Sequence, residues 1–288
     1  MLMNMKDLLE VANKHRFAVP AFNIGSDQLL KSVMQESVKK DAPVILELSP
    51  DELIFVGESL IQAMIYEANR VDIPVVIHLD HGDTIDIVKR AIAAGFTSVM
   101  IDASKKSYEE NIAMTKEVVS LAHPKNISIE AELGTIGNTG NSVEGGSEEI
   151  IYTDPKQAVD FIEKTGVDTL AVAIGTAHGI YPKDKKPALR LDILQEIKKL
   201  VDIPLVLHGG SSNKDEEIAQ AVQIGISKIN ISSDIKVAFY EKCREVLNAN
   251  PGYKEPLEIY PKSIEACRKV IANKIDLFNA TGKAKLYR

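Results

Sequence analysis

Short apolar runs alternate with longer amphipathic ones along almost the whole chain, and the alternation repeats eight times. The apolar runs are AVPAF (18–22), PVILEL (43–48), IPVVIHL (73–79), TSVMID (97–102), ISIEAE (127–132), DTLAVAI (168–174), IPLVLH (203–208) and SKINI (227–231). Most are continuous rather than alternating with period two, the pattern of parallel strands buried on both faces. Helix signals fill the intervals. Ser107 and Glu110 form a capping-box signature. Asp154, Pro155 and Gly166 read as the N-cap, first residue and terminator of one helix. Gly95 and Gly225 mark similar hand-overs from helix to strand. Eight βα units in 288 residues predict an α/β fold, a single (β/α)8 TIM barrel over residues 1–288. Extra C-terminal helical sequence runs over roughly 260–278. The alternative, a doubly wound open sheet, would want a glycine fingerprint after the first strand, and AFNIGSDQ is not one. The segments VDIPVVIHLDHG (71–82) and VDIPLVLHGGSS (201–212) share a frame, an echo that strand composition alone also produces. The glycine-rich stretch 134–147 reads as a mobile loop.

Composition narrows the partners. A 45% hydrophobic chain has material for a core, and a net charge of −7 disfavours nucleic acid and anionic membranes. An anionic small substrate stays open, because a site makes its own local potential. No apolar run reaches the roughly 18–20 residues that cross a bilayer. The first residues, MLMNMKDLLEVANKHRF, lack the basic-then-apolar order of a signal peptide. Cys243 and Cys267 read as reduced thiols of a cytoplasmic protein.

In such a barrel the active site forms at the C-terminal strand ends. Asp80 and His81 follow the third strand, Asp102 the fourth, and Glu130 and Glu132 end the fifth. His178 follows the sixth strand and His208 ends the seventh. Three of the chain's six histidines thus fall on one rim. Three imidazoles around an open position make a catalytic zinc arrangement, whereas one alone would read as a hydrogen-bonded structural residue. His78 reads as a packed residue, and His15 and His123 as solvent-facing. HGGSS follows the seventh strand and NISSD the eighth, where a phosphate commonly sits in this fold. Gly209 and Gly210 would let backbone N–H groups approach an anion. Ser211, Ser232 and Ser233 offer hydroxyls, and Asn230 points at the same mouth. An ordinary βα loop is the alternative.

The motifs HLDHG, SVMIDAS, EAELGTIG, YTDP, VAIGTAHG, LVLHGG and KINISSD occur in this order over nearly the whole chain. The set resembles the class II, metal-dependent fructose-bisphosphate and tagatose-bisphosphate aldolases. The resemblance implies a lyase of carbohydrate metabolism and glycolysis. Such an enzyme reversibly cleaves a ketose (bis)phosphate into dihydroxyacetone phosphate and an aldehyde. By the same resemblance, His81, His178 and His208 are Zn2+ ligands, and Asp80 exchanges a proton with the substrate's C4 hydroxyl. Asp102 and Glu132 lie near a second divalent position. Gly179, Gly209, Gly210, Ser211, Asn230, Ile231, Ser232 and Ser233 form the dihydroxyacetone phosphate site, with Asn23 and Ser49 lining the pocket. The resemblance further allows a monovalent cation, a homodimer or homotetramer, and cobalt, iron or manganese in place of zinc. The rival aldolase chemistry needs a Schiff-base lysine on a barrel strand. Run 168–174 has none, and Lys228 lies at the wrong end of the eighth strand.

The chain departs from the family pattern at the distal end of the substrate. After ELGTIG it continues NTGNSVEGGSEE, with Thr139 and Gly140 near the place of the family's acidic loop residue. Glu144, Glu148 and Glu149 are candidate substitutes. Leu257 stands where the family carries an arginine for the distal phosphate. Asp51 and Glu52 follow Ser49, and acidic groups near a second phosphate would repel it. Either Arg190, Lys183, Lys185 or Lys262 replaces the arginine, or the substrate is a ketose 1-phosphate with an unphosphorylated or sulfonated far end. A zinc hydrolase would want paired His-x-His ligands on an early strand, which AFNIGS lacks. A non-catalytic sugar-phosphate binder predicts a lost base or ligand, yet Asp80 and all three histidines are present.

Overall fold

A computed structural model of the chain describes residues 1–140, 146–147, 149–181 and 188–288. The eight expected strands are present and close on themselves. They are β1 (Val19–Asn23), β2 (Val44–Leu48), β3 (Val75–Gly82), β4 (Ser98–Ile101) and β5 (Ser128–Leu133), then β7 (Thr169–Val172), β9 (Leu205–Leu207) and β10 (Ile226–Ile231). Their order around the barrel is β1-β10-β9-β7-β5-β4-β3-β2, with each described pairing parallel. Closure comes from β1 on β10, with Val19 opposite Lys228 and Ala21 opposite Asn230. This is the (β/α)8 barrel. Two short strands outside the barrel were not expected: β6 (Gly137–Asn138) pairs with β8 (Ala177–His178). The stretch read as a mobile loop is thus partly ordered, because Thr135 pairs with Ile151 and Gly137 with Ala177. Its remaining residues, 141–145, lie outside the described ones.

Local chemistry sets the helix ends. α5 (Tyr108–Ala122) begins with the full Ser107–Glu110 capping box. α6 (Pro155–Thr165) begins at Asp154, whose carboxylate accepts from Lys156 and Gln157 N–H, and ends at Gly166. α4 (Ile85–Ala94) is capped by Thr84, so Asp83 stands one residue outside the cap. α1 (Met5–His15) buries Leu8 and Leu9 against the barrel's N-terminal end, where Lys6 N–H donates to Ser128 Oγ over 2.9 Å at the first residue of β5. α9 (Ser233–Ala249) and α10 (Pro256–Leu277) form the C-terminal pair, and both cysteines are free and buried there. No helix among the described residues is long and apolar enough to cross a membrane.

The barrel strands bury both faces, but the two faces differ. Outward residues such as Ile77, Ile129, Ala131 and Ile229 are apolar and fully buried. Alternate residues carry polar groups that bond across the barrel from six strands: Glu47, His78, Ser98, Glu130, His208 and Lys228, all 0% exposed. Lys228 donates to Glu130 over 2.9 Å and lies 3.5 Å from Glu47. His78 Nδ1 meets Ser98 Oγ at 2.9 Å, the packed role expected of it.

Candidate active site

The end of β3 decides the site. Alternation along a strand sends His78 and Asp80 to the inner face and should send His81 outward. It does not, because the register shifts between Leu79 and Gly82 and His81 takes a left-handed φ of 48°. This bulge turns two consecutive side chains, Asp80 and His81, to the same mouth. Gly82 is required just beyond it, since a Cβ there would lie 2.5 Å from Met100 O.

The three rim histidines converge. His81 Nε2 lies 2.8 Å from His208 Nδ1, and the His178 ring centroid is 4.8 Å from that of His81. One nitrogen from each ring falls within 4.8 Å of the others, and all three residues are buried. The outer nitrogens are anchored: His81 Nδ1 to Asp102 Oδ2 at 2.8 Å, His208 Nε2 to Glu130 Oε1 at 2.6 Å. Asp102 is fixed in turn by Ser104 N–H and Oγ, and Glu130 by Lys228. Carboxylates behind imidazoles are how metal-binding histidines are oriented. Thr139 N–H and Oγ both donate to His178 O, tying the residue after β6 to the backbone of the third histidine.

Asp80 stands beside this cluster, its Oδ1 3.9 Å from His81 Nε2 and 3.8 Å from His208 Nδ1. Two asparagines grip it: Asn230 Nδ2 donates to Oδ1 over 2.9 Å and Asn23 Nδ2 to Oδ2 over 3.2 Å. Burial pushes its pKa up, but His81, His208, Lys228 and Asn23 outweigh burial and hold it at about 2. Asp80 is therefore a carboxylate. Burial opposes charge on His81 too, yet Asp80, Asp102 and Glu132 raise its pKa well above the ordinary histidine range. Burial, with His81 and Lys228, lowers that of His208. A field that favours a proton on His81 favours any cation there, and a neutral His208 offers a lone pair. This donor set fits a divalent metal with nitrogen preference, such as zinc.

Glu132 is 2% exposed and its Oε2 has no hydrogen-bond partner. Burial and Asp102 raise its pKa. Its carboxylate lies with His81 and Asp102, one ligand atom of each within 4.8 Å of the others. The glycine pair of the β9 loop is explained by packing alone: a Cβ on Gly209 would lie 2.7 Å from Ala177 O, and one on Gly210 would lie 2.8 Å from Asn230 O. Ser211 Oγ accepts from Asp234 N–H, and Gly179 and Ile231 lie on the same rim, beside His178 and Asn230. Ser232 makes no side-chain cap on α9, whose first-turn Asp234 N–H is met by Ser211 instead.

Sequence reasoning did not find the role of three residues. Glu130 was noted as a strand end, not as the anchor of His208. Lys228 was weighed only as a Schiff base and is instead buried in ion pairs. Glu52 was read as an acid near the distal group. The structure turns it inward, where it caps α3 (Pro50–Asn69) with Ser49, accepts from Asn23 and pairs with Lys236. The sequence carried the signal, since Ser-x-x-Glu is a capping box. Of the cation candidates, Arg190 is paired to Asp192 and Lys262 is exposed. Lys183, Lys185, Glu144 and Glu148 lie outside the described residues, and Glu149 is exposed. Leu257 is 78% exposed.

Residues 3–283 match the family Fructose-bisphosphate aldolase class-II. The chain is 37% identical to a fructose-bisphosphate aldolase of Geobacillus stearothermophilus, over 98% of this chain and 99% of that protein. It is 38% identical to a 6-phospho-5-dehydro-2-deoxy-D-gluconate aldolase of Bacillus licheniformis, over 98% and 96% respectively. Among solved structures it is similar to the YdjI aldolase of Escherichia coli K12, with a TM-score of 0.84 and 33% identity, covering 99% of this chain and 100% of that one. The chain belongs to the class II fructose-bisphosphate aldolase family. It is a lyase of the aldolase type, from a family that acts on sugar phosphates.

Proposed function

We propose that this enzyme reversibly cleaves a ketose 1,6-bisphosphate, such as fructose or tagatose 1,6-bisphosphate, into dihydroxyacetone phosphate and an aldehyde. The observation that carries the reading is the ionised Asp80, held between Asn23 and Asn230 next to three converging imidazoles. His81, His178 and His208 would hold zinc, with Asp102 and Glu132 beside a second cation position. Bound there, zinc supplies Lewis-acid polarisation of substrate oxygens. Asp80 takes the C4 hydroxyl proton as the C3–C4 bond breaks, and returns it in the condensation direction. The Oδ1 atoms of Asn23 and Asn230, buried without a hydrogen-bond partner, are acceptors for substrate hydroxyls on either side of Asp80. Ser211, Ser232, Ser233 and the α9 N-terminus bind the first phosphate, with Gly179, Gly209, Gly210 and Ser49 lining its pocket. The protein works as a homodimer or homotetramer in the cytoplasm.

Leu257, neutral where the family carries arginine, favours a second reading. In it the substrate is a ketose 1-phosphate with a distal group other than phosphate. The aldolases similar to this chain differ in their named substrates, which leaves room for that reading. The test is zinc-reconstituted cleavage of fructose 1,6-bisphosphate, tagatose 1,6-bisphosphate and fructose 1-phosphate, with Asp80→Ala as control. A bisphosphate should win by more than about a hundredfold in kcat/KM, roughly 2.7 kcal/mol. Equal or better use of fructose 1-phosphate selects the second reading. Loss of less than about a hundredfold in Asp80→Ala removes Asp80 as the base.

A further inference from the structure

Lys236 sits one turn into α9, four residues after Ser232. Its Nζ donates to Ser232 Oγ over 2.7 Å and to Glu52 Oε1 over 2.7 Å. Glu52 uses its other oxygen for three bonds, from Ser49 N–H at 3.0 Å, Ser49 Oγ at 3.2 Å and Asn23 Nδ2 at 3.2 Å. Asn23 also donates to Asp80. One carboxylate therefore joins the start of α3, the Asp80 grip and the start of α9.

The hydroxyls and amides at this corner are neutral groups. A phosphate monoester carries about −1.5 to −2 charges near neutral pH, and a helix N-terminus offers only about half a positive charge. The other charges of the α9 first turn cancel, with Asp234 paired to Lys274 at 2.8 Å. Among the described residues, Lys236 has its ammonium on a hydroxyl of the cradle. Its side chain is 24% exposed and its Glu52 partner 10%, so the ammonium reaches the mouth while the carboxylate stays inside.

We propose that Lys236 is the charge-bearing contact of the phosphate site and that Glu52 is its positioning residue, holding the ammonium over Ser232 until a phosphate monoester arrives. The inference deepens the proposed aldolase function and rests on it. Phosphate oxygens then take one of the three ammonium donors. Glu52 keeps its bonds to Ser49 and Asn23, so the site gains a cation without disturbing the residues around Asp80.

The test is equilibrium binding of dihydroxyacetone phosphate and of inorganic phosphate to the zinc-loaded enzyme and to Lys236→Gln and Lys236→Arg, with zinc content and melting temperature as folding controls. Loss of one charge-assisted hydrogen bond should weaken both ligands by about 10–100-fold in Lys236→Gln, with partial recovery in Lys236→Arg. In turnover the loss should fall on KM, with kcat held within about threefold. Glu52→Gln should bind inorganic phosphate no more weakly than the parent, because the ammonium is then unopposed. A parent that binds dihydroxyacetone phosphate, with Lys236→Gln within about twofold of it, overturns the inference and leaves the aldolase reading standing. A parent that binds inorganic phosphate through Lys236 but not dihydroxyacetone phosphate overturns the aldolase reading instead. A parent that binds neither overturns both.

Discussion

Asp102 gives one oxygen to His81 and the other to Ser104, so it orients the imidazole from the side that faces Glu132. Asp102→Ala should lower zinc affinity by about 10–100-fold, measured by competition with a chromogenic chelator. Unchanged affinity would show that Asp102 does not orient His81 for the metal. Lys198, far from this site, gives a pH prediction. Burial, then Arg16, lowers its pKa from 10.5 to about 8. Between those values the unfolded chain binds more protons, so stability rises with pH across that window and the cost of the buried charge is full below about 8. Urea unfolding of Lys198→Met should show the largest advantage over the parent near pH 7 and lose it above about pH 10.5. A pH-independent difference would contradict this. At this scale the rim histidines were legible, because strand ends in a barrel share one face. Glu52 was not, because its charge was weighed without the hydroxyl three residues earlier that satisfies it.

Strands and helices were legible to within a few residues, since apolar runs and caps act locally. The polarity of the barrel interior was harder to see. PVILEL and ISIEAE look like buried runs with stray acids, yet Glu47 and Glu130 fall on inward positions and meet a lysine from β10. The β3 bulge had no sequence signature beyond the glycine that follows it. Gly82→Ala places a methyl against Met100 O and should cost about 1–3 kcal/mol by overcrowding. It should also shift His81, so zinc content should fall with the melting temperature. Full zinc occupancy in a destabilised variant would show that the bulge and the ligand are independent.

For the whole molecule, Lys228 is the tie between β10, β5 and β2 inside the closed sheet. Lys228→Met leaves two acids buried without their cation and should cost about 3–5 kcal/mol. For a chain of this length that is roughly 5–8 °C of melting temperature. A variant as stable as the parent would mean that Glu130 and Glu47 take up a proton or water at little cost. The barrel itself followed from eight repeats of one pattern. α1, which closes its lower end, was legible only as helical sequence around His15, because nothing local shows that its Leu8 and Leu9 cover the barrel floor.

The bulge in β3 has a consequence for length rather than identity. A replaced side chain changes one contact. A single residue deleted between Leu79 and Gly82 would restore plain alternation and swing the base or the first imidazole out of the mouth. An insertion there would do the same in the opposite sense. The enzyme's chemistry thus depends on a count as much as on an alphabet. Within this one eight-residue strand, a frame-preserving indel should be as damaging as loss of Asp80 or His81 itself, whereas the loops beyond it can absorb such changes.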